Sequence, residues 1–334
     1  MGDRRHTDIE LFAGAGGLAL GLEQTGFDGL AYVEMNGDAC ETLRRNRPEW
    51  NVIEGDVHEI DFRRYDGQVD LVSGGFPCQA FSMAGKRLGF GDIRGTLFAE
   101  VIRCANETHP KMLLMENVKG LLSHDGGRTF ETIRHEVEKA GYSLQWKILN
   151  ASYHGVGQAR ERIVMIGIRD DLSEKISFEY PEPDNRQTTL REVLDGVPDS
   201  PGASYSEKKA KVLDLVPPGG CWVDLPQDIA RDYMKGSYDS PGGKRGMARR
   251  LSWDRPCLTL TTSPSQKQTE RCHPDETRPL TVREYARVQS FPDDWEFAGG
   301  IGSQYRQIGN AVPVEMARRI GVQIIKALNS VSYQ

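Results

Sequence analysis

The stretch "YDGQVDLVS" (65–73) ends apolar and runs straight into "GGFPCQAFS" (74–82). Cys78 therefore stands at the mouth of what reads as a buried strand, behind two glycines and a proline. A thiol in that position can act as a nucleophile through its thiolate; the plainer reading is a small buried hydrophobe. Glu116 closes a second apolar run, "LLMENV". A carboxyl beside a thiol supplies general acid–base capacity; alone it would be a helix cap. Gln158, Arg160 and Arg162 in "GQARERIVMIGIR" are spaced i, i+2, i+4, which on one strand places them on one face. Guanidiniums beside a carboxyl suit an anionic or polar planar ligand, or else mark a solvated strand start.

A glycine loop, "FAGAGGLALG" (12–21), follows the first apolar run and opens a helix. Gly14-x-Gly16-x-x-Ala19 fits the dinucleotide fingerprint, and Glu34 lies 20 residues beyond Gly14. Such glycines let a cofactor approach the backbone, and an acid at the next strand end can hold ribose hydroxyls. Asp56, in "EGDV", is placed to do the same for an adenine amino group at the third strand end. The set predicts an adenosine-containing cofactor, and both NAD and S-adenosylmethionine satisfy it.

The elements that must position these groups alternate between residues 7 and 169. "IELFAG", "LAYVEM", "NVIEGD", "VDLVSGG", "KMLLMENV" and "RIVMIGI" read as buried strands. In "TFETIRHEVEKAGY", Phe130, Ile133, Val137 and Ala140 share a helical face that Gly141 ends. This punctuation predicts an α/β fold with a doubly wound, mostly parallel Rossmann-like sheet, whose ligands sit outside the carboxyl ends of the strands. Residues 171–275 are rich in Pro, Gly, Ser and charge and predict a smaller irregular domain. Thr281 and Glu284 form a capping box in "RPLTVREYARVQSFP", and "VEMARRIGVQIIKALN" is a last amphipathic helix. Residues 1–170 and 276–334 are thus expected to form one domain and 171–275 the other.

With 27% charged and 38% apolar residues among 334, the chain is expected to be a soluble globular protein. No apolar run approaches the ~20 residues of a membrane span, and the start lacks a signal-peptide pattern, so a cytoplasmic location is expected. The six cysteines are scattered, which predicts reduced thiols, and no His or Cys spacing suits a metal. The net charge of −6 counts mildly against nucleic acid, but residues 231–255 hold seven basic and three acidic side chains. That local patch fits DNA or a solvated loop equally well.

Taken in order, "FAGAGG", "GGFPCQAFS", "ENV", "QARERI" and "QIGNAVPV" resemble the motifs of the bacterial-type DNA (cytosine-5)-methyltransferases over nearly the whole chain. Phe76 stands where many relatives have a second proline. The resemblance implies an S-adenosylmethionine-dependent enzyme, with S-adenosylhomocysteine as product and no metal, acting on double-stranded DNA near the nucleoid. It implies a monomer, with a separately encoded restriction endonuclease as a possible companion, and a target-recognition domain at 171–275. It further implies that Phe12 and Met35 sandwich the adenine, that Glu34 holds the ribose, and that Asp56 with Val57 holds the adenine edge. Gly14, Gly16, Gly17, Leu18, Leu97, Asn310 and Val312 complete that pocket.

By the same resemblance Cys78 adds to carbon 6 of a flipped-out cytosine, with Gln79 and Ser82 beside it. Glu116 bonds N3 and the exocyclic amine, for which its carboxyl must hold or share a proton. Arg162, supported by Arg160, braces the base oxygen. The segment "SMAGKRLGFGDIRG" (82–95), with Lys86, Arg87 and Arg94, reads as a lid over DNA, and base flipping costs a few kcal/mol. Lys244, Arg245, Arg249 and Arg250 are the expected DNA contacts of the second domain, whose size suggests a target of about four to six base pairs. The other readings open to the sequence are a tRNA cytosine-5 methyltransferase, an NAD-linked thiol dehydrogenase and a catalytically silent DNA-binding module.

Overall fold

The structure, a computed structural model, describes residues 5–76, 96–239 and 245–332. Chain contacts divide it into two compact units. The first comprises 1–150, 161–183 and 312–334; the second comprises 151–160 and 184–311.

The first unit is built on a seven-stranded sheet. Its strands are β1 (His6–Leu11), β2 (Phe27–Glu34), β3 (Val52–Glu54), β4 (Leu71–Gly74), β5 (Met112–Val118), β6 (Tyr142–Asn150) and β8 (Glu161–Arg169); a short β7 (Gln158–Ala159) belongs to the second unit. The order is β3-β2-β1-β4-β5-β8-β6. The first five are parallel, while β8 runs antiparallel to both β5 and β6. The order reverses at β1, which makes the β1/β4 mouth the topological switch point where ligands of such sheets bind. The six apolar runs all became strands. β6 has no continuous apolar run; it alternates Leu144, Trp146 and Ile148 with polar residues, as a half-buried edge strand does.

Helices α1 (Gly17–Glu23), α2 (Gly37–Asn46), α3 (Leu97–Thr108) and α4 (Arg128–Lys139) flank the sheet. One core joins Ile9, Leu11, Val72, Leu113 and Met115 of the strands to Phe98 and Val101 of α3 and to Phe130, Ile133 and Val137 of α4. Phe130, Ile133 and Val137 are the helical face read from the sequence, and Gly141 beyond them takes φ 85°. No described helix is long and apolar enough to cross a membrane.

The second unit holds α5 (Leu190–Leu194), α6 (Glu207–Leu213), α7 (Gln227–Met234), α8 (Val282–Val288) and α9 (Ile301–Asn310), with β7 pairing parallel to β9 (Cys257–Leu258). The Thr281–Glu284 capping box is present at the start of α8. Residues 276–311 pack with this unit rather than with the first, as the expected boundary had it. Val282 N–H donates to Pro201 O, the Tyr305 hydroxyl donates to Leu280 O, and Ala203 N–H donates to that hydroxyl. Only the last helix, α10 (Val314–Ser332), returns to the first unit, where it packs on α1. A Cβ on Gly21 would lie 2.5 Å from Ala317 Cβ and 2.6 Å from Val314 O, so only glycine permits this approach.

Candidate active site

The glycine loop leaves β1 in a conformation that ordinary side chains avoid. Phe12 has φ 60°, Gly14 φ 55° and Gly16 φ 84°. A left-handed non-glycine residue costs roughly 1–2 kcal/mol, and such strain collects at ligand sites. Glu34, at the end of β2, ties this loop down. Its Oε2 accepts the Gly14 N–H at 2.8 Å, and its Oε1 accepts the Met35 and Asn36 N–H groups at 2.9 and 2.8 Å. The carboxylate thus orders the loop while keeping about one lone-pair site, on Oε2, for a ligand.

Asp56 follows β3 and is half exposed; it accepts the His58 N–H at 3.0 Å and faces His58 Nδ1 at 2.6 Å. The His58 ring, and then its N–H, hold this carboxyl below the usual carboxylate range. Val57 and Leu18 are buried, so each can offer a ligand only its backbone. Arg103 of α3 fixes the turn at 57–60, donating to Val57 O and Ile60 O at 2.7 and 2.8 Å. Met35 is 72% exposed, an apolar side chain left in solvent beside these acids. Leu97 starts α3 and packs on the core. Gly17 begins α1, Val312 precedes α10 in the first unit, and Asn310 ends α9 in the second.

The sheet register sets Glu116 at the exit of β4. Gly74, the last residue of β4, pairs with Met115, so Glu116 stands level with Gly75. A Cβ on Gly75 would come within 3.2 Å of Glu116 Oε2. Arg162 lies diagonally across from Glu116 on the antiparallel neighbour β8, and its Nε is 2.8 Å from Glu116 Oε1. The N–H does not point at that oxygen, so the contact is an ion pair without a well-aligned hydrogen bond. Both side chains are nearly buried, at 12% and 13% exposure. Asn117, which the sequence reading passed over, donates from Nδ2 to Phe76 O at 2.8 Å and accepts the Val118 N–H. It thereby holds the chain two residues before Cys78; the "ENV" triplet carried that signal. Cys78, Gln79, Ser82, Lys86, Arg87, Arg94 and Lys244 lie outside the described residues.

Two expectations are corrected. Gln158, Arg160 and Arg162 do not form one row, because the strand breaks between β7 and β8 and Arg160 belongs to the second unit. There Arg160 is buried, donating to Gly309 O at 3.2 Å and Leu260 O at 3.5 Å, and Gln158 braces Gln289 and Leu260 N–H. Arg250, expected on DNA, is 4% exposed. Its guanidinium donates to Val216 O, Leu213 O, His273 O and Thr277 Oγ1, so it is a structural cross-link. Arg245 and Arg249 do face a groove of the second unit. A depression of about 620 Å³ beside α4 is lined by none of the expected site residues.

A doubly wound sheet with a carboxylate–guanidinium pair and a strained glycine loop at its strand mouths defines a ligand-binding α/β enzyme. The chain belongs to the C-5 cytosine-specific DNA methylase family, whose model matches residues 6–326, and it is an enzyme of that class. It is 57% identical to the Type II methyltransferase M.Sau96I of Staphylococcus aureus, over 96% of this chain and 76% of that protein. It is 53% identical to M.Eco47II of Escherichia coli, over 98% and 80%. Among solved structures, a prophage-encoded E. coli protein described as a DNA modification methyltransferase superposes with a TM-score of 0.70, at 25% identity over 97% of this chain and 99% of that one. DNMT2 of Spodoptera frugiperda has the same fold, with a TM-score of 0.69 at 18% identity, over 96% and 99%.

Proposed function

We propose that this enzyme transfers a methyl group from S-adenosylmethionine to carbon 5 of a cytosine swung out of a double-stranded DNA target, as one half of a restriction-modification pair. The observation that carries the reading is the Glu116 carboxylate, set by register over the exit of β4 and neutralised by Arg162 at 2.8 Å. Two residues past that exit segment stands Cys78.

The residues of the first unit fit the cofactor. Phe12 and the exposed Met35 offer faces for an adenine, Glu34 a ribose acceptor, and Asp56 with the Val57 backbone an acceptor and a donor for the adenine edge. Gly14, Gly16 and Gly17, with the Leu18 backbone, leave the loop open to close approach. Leu97 and Val312 complete the set within this unit. When bound, the cofactor supplies an electrophilic methyl.

The chain does the rest. The Cys78 thiolate bonds carbon 6, and the displaced π pair makes carbon 5 nucleophilic. Glu116 takes up a proton from solvent as the base enters and delivers it to N3 as charge develops there, and its other oxygen accepts the exocyclic amine N–H. Arg162 keeps the carboxyl in place and faces the base oxygen, while Arg160 braces the Leu260 and Gly309 carbonyls within the second unit. After methylation the carbon 5 proton leaves to solvent, the electron pair expels the Cys78 thiolate, and N3 returns its proton to Glu116. Lys86, Arg87, Arg94, Lys244, Arg245 and Arg249 are assigned to DNA.

The test is incubation with labelled S-adenosylmethionine and DNA carrying 5-fluorocytosine, which blocks the last step. A covalent protein–DNA complex is expected, and Cys78→Ser should lose it. An undiminished complex in that variant would refute the mechanism.

A further inference from the structure

The second unit contains a groove of about 760 Å³ between the turn at 217–224 and the segment 245–271. Four arginines line it, Arg245, Arg249, Arg255 and Arg271, against a single carboxylate, Asp224, whose Oδ2 already accepts the Cys221 N–H at 2.8 Å. Its walls are stitched by backbone bonds: Gly219 N–H to Leu251 O, Arg250 N–H to Gly220 O, Trp222 N–H to Met247 O and Glu270 N–H to Gly246 O. A Cβ on Gly246 would fall 2.5 Å from Gln268 O, so the two sides meet as closely as backbones can. The backbone of both walls is therefore paired across the groove.

Its charges are arranged in an unusual way for a surface without a ligand. Arg271 is 6% exposed and anchored to backbone, donating to Thr259 O at 2.8 Å and Glu270 O at 2.7 Å. Burial first, and then the neighbouring Arg249 charge, work against its ionisation. Arg249 Nε is buried with no hydrogen-bond partner. Among the described residues Arg245, Arg249 and Arg255 make no side-chain hydrogen bond or ion pair, whereas nearby Arg191, Arg278 and Arg287 are each matched to carboxylates. Two guanidiniums held near each other without a counter-ion repel. A neutral base edge would leave that repulsion in place; an anion relieves it.

We infer that this groove seats the phosphodiester backbone of the DNA substrate, with Arg249 as its bidentate phosphate contact, Arg271 as a fixed charge beneath it, and Arg245 and Arg255 on the rim. The inference rests on the proposed DNA methyltransferase activity and adds that these arginines hold the strand without reading its sequence. Arg255 and Arg271 are new to the DNA surface, and Arg250 is excluded from it.

The experiment measures binding of the full-length protein to a mixed-sequence duplex across a KCl series, together with bisulfite sequencing of methylated plasmid. A phosphate contact contributes about 0.9 to the slope of log K against log salt, so Arg249→Ala should weaken binding roughly eightfold near 0.1 M salt and flatten the slope by about 0.9. The set of methylated sites should be unchanged. Arg249→Lys keeps the charge and should keep the slope while losing part of the affinity, which separates the effect from misfolding. Loss of methylation at particular sequences with an unchanged slope would make Arg249 a base reader and overturn the inference. So would a variant that binds and methylates like the parent. If the unsubstituted protein methylates no cytosine in duplex DNA, it is the proposed function that fails, and the two failures are thus distinguishable.

Discussion

Glu116 shows how a single side chain can be placed by everything around it. Its height over Gly75 comes from the β4–β5 register, and its partner Arg162 comes from the antiparallel strand beside it. Glu116→Gln keeps the shape and removes the exchangeable proton. It should lower kcat by about 10²–10⁴-fold while S-adenosylmethionine affinity, read by calorimetry, stays as in the parent; an unchanged kcat would remove Glu116 from the reaction. Arg250 makes the opposite case. Arg250→Ala removes the guanidinium donor from the Val216 and His273 carbonyls in the interior and leaves Leu213 O with the Val216 N–H alone, and should cost on the order of 3 kcal/mol. The readout is a lower urea midpoint at unchanged m, and Arg250→Lys, lacking the five-donor fork, should rescue little of it.

At the scale of elements, the pairing of α1 with α10 depends on Gly21. The contact atoms are backbone and a Cβ, which cannot swing aside. Gly21→Ala should therefore destabilise by about 1–3 kcal/mol, despite the ~1 kcal/mol that alanine gains in an isolated helix; a raised Tm would show that the helices stand further apart. Strand β1 carries a different tension. Asp8 and Glu10 share the face opposite Ile9 and Leu11, and both are buried. Burial first, and then the charge of Asp28, push the Asp8 carboxyl up to about 7; burial and the neighbouring Asp8 push Glu10 well up. A folded-state value above the unfolded one means that the native state binds the extra proton between about 4 and 7, so stability falls as pH rises through that window. Asp8→Asn should raise Tm at pH 8 and flatten the loss between pH 4 and 7. A lower Tm at pH 8 would mean that the Asp8 charge is matched by a partner.

At the scale of the whole molecule, the chain leaves the first unit at Asn150, returns at Glu161, leaves again at Pro183 and comes back at Val312. Its last helix is thus part of the sheet domain, with Met316, Ala317, Ile320, Ile324 and Leu328 buried. Removing residues 310–334 strips α1 of its partner and takes Asn310 with it. Calorimetry should show no S-adenosylmethionine binding by the truncated protein, and retained binding would place the whole cofactor site within residues 1–309.

Local signals carried much of this structure in the sequence. Short apolar runs marked β1 to β5 and β8, continuous in strands such as β5 because one covered on both faces needs no polar alternation. The Phe130, Ile133 and Val137 spacing marked α4, and Thr281 with Glu284 marked the start of α8, because helical period and capping act within a few residues. The same local order placed Glu34, Asp56 and Glu116 at strand ends. Tertiary structure alone decided the rest. That β8 runs antiparallel, that Arg160 and Arg162 part company two residues apart, and that Arg250 turns inward while Arg249 faces a groove are outcomes of contacts between residues far apart along the chain. A guanidinium reads the same in sequence whether carbonyls from distant turns surround it or solvent does; its role is set by the acceptors that folding brings within reach.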